Sequence, residues 1–248
     1  KQAVKERLIP YNPCENCRIP PKDKKEMTIL PPEKIGRYLQ EAEKYGVLPM
    51  FYLELSSGLR RGELLALQWT DLNVKERILT VNKQVTRMEG ELDVTEPKTK
   101  NSVRKVALSQ QAVDLLVQEH EQHPDNPILF PSPRTGGYWS PDAVSRINRK
   151  LLKTAGIEEH VRFHDLRHTF ATMAISSGVD VKTLSSMLGH FSAGFTLDTY
   201  THITNDMQRG AAEKIGGFME SVTAANTPEP PDPPEGIRCK VIPFEKVV

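Results

Sequence analysis

The sequence is short of three things that would each have narrowed its class: cysteine, long apolar runs, and an excess of charge of either sign. Only Cys14, Cys17 and Cys239 are present among 248 residues. So sparse and odd a set cannot staple a small secreted fold, and a chain of this length buries a core without such staples. Cys14 and Cys17 have the spacing of a redox or zinc pair, but no histidine pair lies near them, so reduced loop cysteines are the plainer reading. No apolar stretch approaches the roughly 20 residues that a membrane-crossing helix needs, and Lys1 to Arg7 look nothing like a secretory signal. A beginning at Lys1 instead of Met suggests a fragment. With 33 basic and 32 acidic residues the formal net charge is only +1, so any surface for nucleic acid must come from local clustering. The sequence also has no Walker motif and no carboxylate cluster, which leaves no signal for nucleotide- or metal-driven chemistry.

What is there falls into blocks. Residues 1–26 hold Pro10, Pro13, Pro20 and Pro21 and then a charged run, the composition of an extended linker leading from an upstream domain. Helical periodicity predicts helices from about Pro32 to Tyr45 and about Val47 to Ser56. A third, after Gly58, carries Glu63 to Leu67 and closes near Trp69. From Ile78 the period changes to two. Ile78–Val85, Glu91–Val94 and Val103–Leu108 read as three strands of one small antiparallel sheet, with a turn at Glu89-Gly90. Helices return at Gln111–His120, at Ser140-Pro141 with proline in the first helical position, at Phe163–Ser177, at Val181–Leu188 and at about Asp206–Ser221. Thr227 to Pro234 form a stiff proline linker before the tail that ends at Val248.

Chemistry concentrates on His164-Asp-Leu-Arg167-His168. On a helix, Phe163, Leu166, Phe170 and Met173 line an apolar face, while His164 and Arg167, three apart, share a neighbouring polar one. An imidazole beside a permanent, fork-shaped guanidinium suits an oxygen anion. Taken alone, the pair reads first as a solvated helix face, since His-x-x-Arg occurs by chance. His164 and His168 also have the i, i+4 spacing of zinc proteases, but the position after His164 is Asp165 where that motif needs Glu, and no third ligand is evident. Four further features stand in order along the chain: Gly58-Leu-Arg60-x-x-Glu63, Lys98 in a basic turn, Leu188-Gly-His190, and Asp198-Thr-Tyr200.

Taken together, Gly58-Leu-Arg60-x-x-Glu63, Lys98, His164-x-x-Arg167, Leu188-Gly-His190 and Tyr200 resemble the tyrosine recombinase (phage integrase) family, over about Met27 to Ser221. The segments around His164 and Leu188–His202 look most like integrases of temperate phages and conjugative transposons. The resemblance implies the catalytic-domain fold of that family, mainly helical with a small three-stranded antiparallel sheet, over residues 27–222, followed by a proline-rich tail at 223–248 that docks on a neighbouring subunit.

By the resemblance, Tyr200 is the nucleophile that forms a 3′-phosphotyrosyl link, and Arg60 and Arg167 clamp the scissile phosphate. Lys98 is the general acid, with Lys100 competing; His164 handles the tyrosine proton; His190 is a further phosphate donor; and Glu63 orients Arg60. His168 and His202 are structural. The family works on double-stranded DNA as a tetramer in the bacterial cytoplasm, with accessory DNA-bending or excision factors, and needs no metal or cofactor. From the residues themselves, Arg146, Arg149, Lys150 and Lys153 form a positive helix face for DNA, with Lys83, Arg87 and Lys105 as weaker additions. A solvated charged face is the plain alternative there. A topoisomerase-like relaxing enzyme and a non-catalytic DNA-binding module remain the alternative functions.

Overall fold

A computed structural model describes residues 1–15, 17, 28–88, 90–95, 103–189 and 212–222. The chain divides into two compact units, 1–197 and 198–248. The first is built on helices α1 (Gln2–Lys5), α2 (Pro32–Lys44), α3 (Leu48–Ser57), α4 (Arg61–Ala66), α5 (Gln110–Glu121), α6 (Pro141–Thr154), α7 (Phe163–Ser176) and α8 (Val181–Leu188). Between α4 and α5 lie five short strands: β1 (Leu72–Asn73), β2 (Ile78–Val81), β3 (Gln84–Met88), β4 (Glu91–Thr95) and β5 (Arg104–Ala107). Of the second unit, a helix over 212–222 is described.

Helix α3 is the central rod, and its sequence explains why. Met50, Phe51, Leu53 and Leu55 are buried on several sides of it, as expected of a helix packed all round instead of on one face. It packs against α2, α5 and α7. Tyr38 of α2 and Phe163 of α7 each meet Phe51 edge-on, with ring centroids 5.9 and 5.7 Å away. Tyr38 also donates to Asn148 Oδ1 at 2.6 Å, and Asn148 Nδ2 donates to the Val161 carbonyl at 2.9 Å, so the one polar position on the buried face of α6 is satisfied on both sides. Helix α3 ends at Gly58, whose φ of 61° is the left-handed cap that glycine adopts freely.

The expectation of one three-stranded sheet needs correction in its membership. Residues 78–85 do not form one strand: β2 pairs with β1 and β5 in a sheet of order β1-β2-β5, while among the described residues β3 pairs with β4 alone, in a separate hairpin. The break falls at Asn82-Lys83, where the Lys83 ammonium turns inward to Asp71 at 2.7 and 2.8 Å and to Gln68 Oε1 at 3.1 Å. The two residues of β1 are too few to show a period of two. The helix that carries Glu63 closes at Ala66, earlier than its pattern implied, and a 3-10 turn at Trp69–Asp71 follows it.

Candidate active site

Three guanidiniums meet at the C-terminal end of α8. Arg104 Nε donates to the Met187 carbonyl at 2.6 Å, Arg167 to the Leu188 carbonyl at 2.6 Å, and Arg60 to the Gly189 carbonyl at 2.9 Å. The last carbonyls of a helix have no partner within it and carry the negative end of its dipole, so three cations are favourable neighbours there. They come from distant parts of the sequence: the N-cap of α4, the start of β5 and the first half of α7.

Glu63 links two of them. Its Oε1 accepts from Arg60 at 2.8 Å and from Arg104 at 3.0 Å, its Oε2 accepts from Arg104 at 2.8 Å, and Oε2 also takes the Arg60 backbone N–H at 2.9 Å. The carboxylate is 2% exposed. Burial opposes its ionisation, but the hydrogen bonds and charges of Arg104 and Arg60 outweigh that and hold its pKa below the usual carboxylate value. A second carboxyl, Glu54 on α3, behaves in the opposite way. It is 1% exposed, neither oxygen has a hydrogen-bond partner, and burial pushes its pKa well above the usual value although Arg167 pulls it back. Three guanidiniums and two carboxyls therefore make up the centre, which keeps a surplus of positive charge.

Arg167 is not on a polar helix face, as its spacing predicted; it is 3% exposed. Its second bond, from Nη1 to the Gly58 carbonyl at 2.7 Å, shows why. The guanidinium fills the gap between the end of α3 and the end of α8. Burial and the nearby Arg60 lower its pKa to about 10, so it is charged at neutral pH. Gly58 is needed here for a second reason: a Cβ at that position would lie 2.3 Å from the Phe170 ring. On the same helix Met173 is only partly buried, and Ile175 takes the core position.

His164 stands on the open side of α7, 5.0 Å from His168 in an edge-to-face pair. Burial in the wall of the cleft, then the charges of Arg167, Arg162 and Arg60, lower its pKa below the ordinary imidazole value, which leaves it neutral and able to accept a proton at pH 7. Burial and His164 push His168 further, to about 4. The helix start is fixed by Asp165, which accepts the Arg162 N–H at 2.7 Å and the Arg162 guanidinium at 2.8 and 3.0 Å. That bonding commits Asp165 to the helix cap, and among the described residues no group of three or more His, Cys, Asp or Glu could hold a metal ion. Cys14 and Cys17 are both exposed and free.

Beside His164 lies a cleft of about 600 Å³ lined by Arg61, Arg149, His160 and Arg162. Of the proposed DNA-facing residues, Arg146, Arg149, Lys150 and Lys153 lie together on the exposed side of α6, each with different neighbours. Arg149 joins this cleft; Arg146 joins Arg87, Arg134 and Trp139 around another of about 650 Å³; Lys150 lies 4.5 Å from the centre of the Tyr45 ring. Lys105 is exposed, and Arg87 is paired with Asp142 at 3.0 Å. Lys83, by contrast, is committed to the Asp71 carboxylate, where both side chains are largely buried, and it acts as a structural strut. Lys98, Lys100, His190, Tyr200 and His202 lie outside the described residues.

Arg104 was not singled out by sequence reasoning, although a signal existed. In β5 it alternates in phase with the buried Val106 and Leu108, and a charged residue in core phase implies a buried partner.

The site's order along the chain and the fold around it match a known group. Residues 30–207 match the phage integrase family, and the chain belongs to that family. Among curated relatives, the ICEBs1 integrase of Bacillus subtilis (strain 168) is 31% identical over 230 residues, covering 88% of this chain and 62% of that protein. A XerC-like tyrosine recombinase of Caldanaerobacter subterraneus is 30% identical over 245 residues, again 88% and 62% of the two chains. The chain thus spans less than two thirds of the length of these relatives. Among solved structures, the Tn1549 transposon integrase in complex with a circular intermediate DNA superposes with a TM-score of 0.72 at 22% identity, covering 86% of this chain and 74% of that one. The XerA recombinase gives a TM-score of 0.62 at 26% identity, covering 78% and 67%. The fold is therefore that of tyrosine recombinase catalytic domains, mostly helical with small antiparallel sheets.

Proposed function

We propose that the protein is the catalytic part of a site-specific DNA recombinase that integrates and excises a mobile element by cutting and rejoining strands through Tyr200. The observation that carries this reading is the pair Arg60 and Arg167, held beside a neutral His164 in a setting with surplus positive charge.

In the proposed step, the Tyr200 oxygen attacks the scissile phosphorus and forms a P–O bond as the bond to the 5′-oxygen breaks. The tyrosine proton passes to His164, and Lys98 protonates the leaving 5′-oxygen. A phenol with a pKa near 10 is a weak nucleophile at neutral pH, so a proton acceptor and a polarised phosphorus are both needed. Arg60 and Arg167, with His190, meet the charge that develops on the non-bridging oxygens, and each such donor is worth on the order of 100- to 1,000-fold in rate. Because the tyrosyl ester conserves the phosphodiester energy, rejoining runs by reversal, and neither ATP nor a metal enters the scheme.

Double-stranded DNA is the proposed substrate and the bacterial cytoplasm the proposed location. A homotetramer on DNA, with accessory bending or excision factors, is the proposed assembly. In support of self-association, the helix over 212–222 exposes Ile215, Phe218, Met219 and Val222, an i, i+3, i+4, i+7 stripe.

The reading is tested by incubating the protein, without metal or ATP, with nicked DNA carrying a recombination site, so that the cut strand diffuses away. A denaturant-resistant protein–DNA band that Tyr200→Phe abolishes is the expected result. A shift on DNA with no covalent band, repeated with the upstream domain present, would favour a non-catalytic DNA-binding module instead.

A further inference from the structure

Arg104 is not among the residues that carry the family resemblance, yet its guanidinium is the most firmly held of the three at the site. It grips Glu63 through both carboxylate oxygens, and its Nε holds the Met187 carbonyl. It is 6% exposed as a side chain, against 38% for Arg60, so a phosphate that reaches Arg60 does not reach Arg104 in the same way. The geometry points to a role one step removed: we infer that Arg104 is a positioning residue that sets both phosphate-clamping arginines by fixing Glu63 on one side and the end of α8 on the other. This inference rests on the recombinase reading above.

The route is direct on each side. Glu63 accepts from the Arg60 side chain and from its backbone N–H, so whatever orients this carboxylate orients Arg60. The three carbonyls at residues 187–189 are consecutive, each with its own arginine, so the Met187 bond fixes the acceptors used by Arg167 at 188 and Arg60 at 189. Gly189 completes the fit. Its φ is 64°, and a Cβ there would come within 3.1 Å of two atoms of the Arg104 side chain, so the turn and the guanidinium occupy complementary space. An error of an ångström in such a constellation is expected to cost on the order of 100-fold in rate.

The test compares wild type, Arg104→Met and Arg104→Lys in two measurements. In single-turnover cleavage of nicked DNA, Arg104→Met is expected to lower the rate constant about 100-fold while DNA affinity stays within about threefold. Arg104→Lys, which keeps the charge beside Glu63 but not the fork, is expected to recover about tenfold of that loss. A merely structural defect would instead shrink the reacting fraction and leave its rate constant unchanged; that result, or wild-type cleavage by Arg104→Met, would overturn the inference. The second measurement is amide hydrogen exchange without DNA. The last turn of α8, residues 185–189, should exchange at least about tenfold faster in Arg104→Met, with α2 and α5 unaffected. Should wild type give no covalent product even with the upstream domain present, the catalytic reading fails, and unchanged exchange at 185–189 would then overturn the role of Arg104 independently. Should Arg104→Met fail to fold, Arg104→Lys carries both measurements, with the same direction and a smaller size.

Discussion

The depressed pKa values of the two histidines on α7 have a consequence for stability that can be signed. His168 is pushed down to about 4 from an unfolded value near 6.5. Between those values the unfolded chain binds the proton and the folded chain does not. The stability this group contributes is therefore complete above about pH 6.5 and is lost as pH falls toward 4. His168→Gln should flatten the dependence of unfolding free energy on pH across that window, by at most about 1.4 kcal/mol per pH unit. Urea unfolding at half-unit pH steps measures it, and identical slopes in the two proteins would rule the assignment out. At this scale the sequence revealed residue types well and surroundings poorly. Spacing put Arg167 next to His164, but only tertiary packing shows that Arg167 is interior, because the carbonyls that receive it belong to Gly58 and Leu188, far away in sequence. The same reason hid Glu54, an ordinary-looking acid in an apolar stretch that is buried because α3 is packed on several sides.

Among elements, helices with strong punctuation were legible. Proline at the first position of α6, and glycines after α3 and α8 with left-handed φ of 61° and 64°, mark ends that the sequence placed to within a residue or two. The strands were less so. A run that alternates cleanly from Ile78 to Val85 gives no sign that Lys83 finds a buried acid twelve residues back and splits it. Helix α6 carries a prediction of its own. One side buries Val144, Leu151 and Leu152, and the other carries Arg146, Arg149, Lys150 and Lys153. Replacing those four by glutamine should weaken DNA binding and reduce the slope of log affinity against log salt by about 0.9 for each phosphate no longer neutralised. Titrations at several salt concentrations check this, and an unchanged slope would show the face to be merely solvated. Arg149 is expected to contribute most, since it alone of the four lines the cleft that also holds His164.

For the molecule as a whole, the order of motifs along the chain was more informative than any one of them. Each of Arg60, Arg104 and Arg167 is ordinary in its local sequence, and the fold gathers all three onto the end of one helix. Assembly beyond one chain is the remaining question at this scale. If the segment 223–248 docks on a neighbour, deleting it should leave the melting temperature of the 27–222 core within a few degrees. It should also abolish the higher-order species seen with DNA by analytical ultracentrifugation. Retention of those species would transfer the role to the exposed stripe at Ile215 and Phe218.

The three carbonyls that end α8 also bear on how the centre changes between its empty and occupied states. Clustered guanidiniums repel one another, and many anion sites relieve that by collapsing or by scattering their cations until a ligand arrives. Here the chain supplies its own counter-dipole, and each arginine has a fixed acceptor before any DNA is present. On the proposed recombinase reading, an incoming phosphate finds donors already aimed, and little reorganisation energy stands between binding and reaction. On the recombinase reading, the backbone at positions 187–189 is part of the catalytic apparatus without offering a single side chain to the substrate.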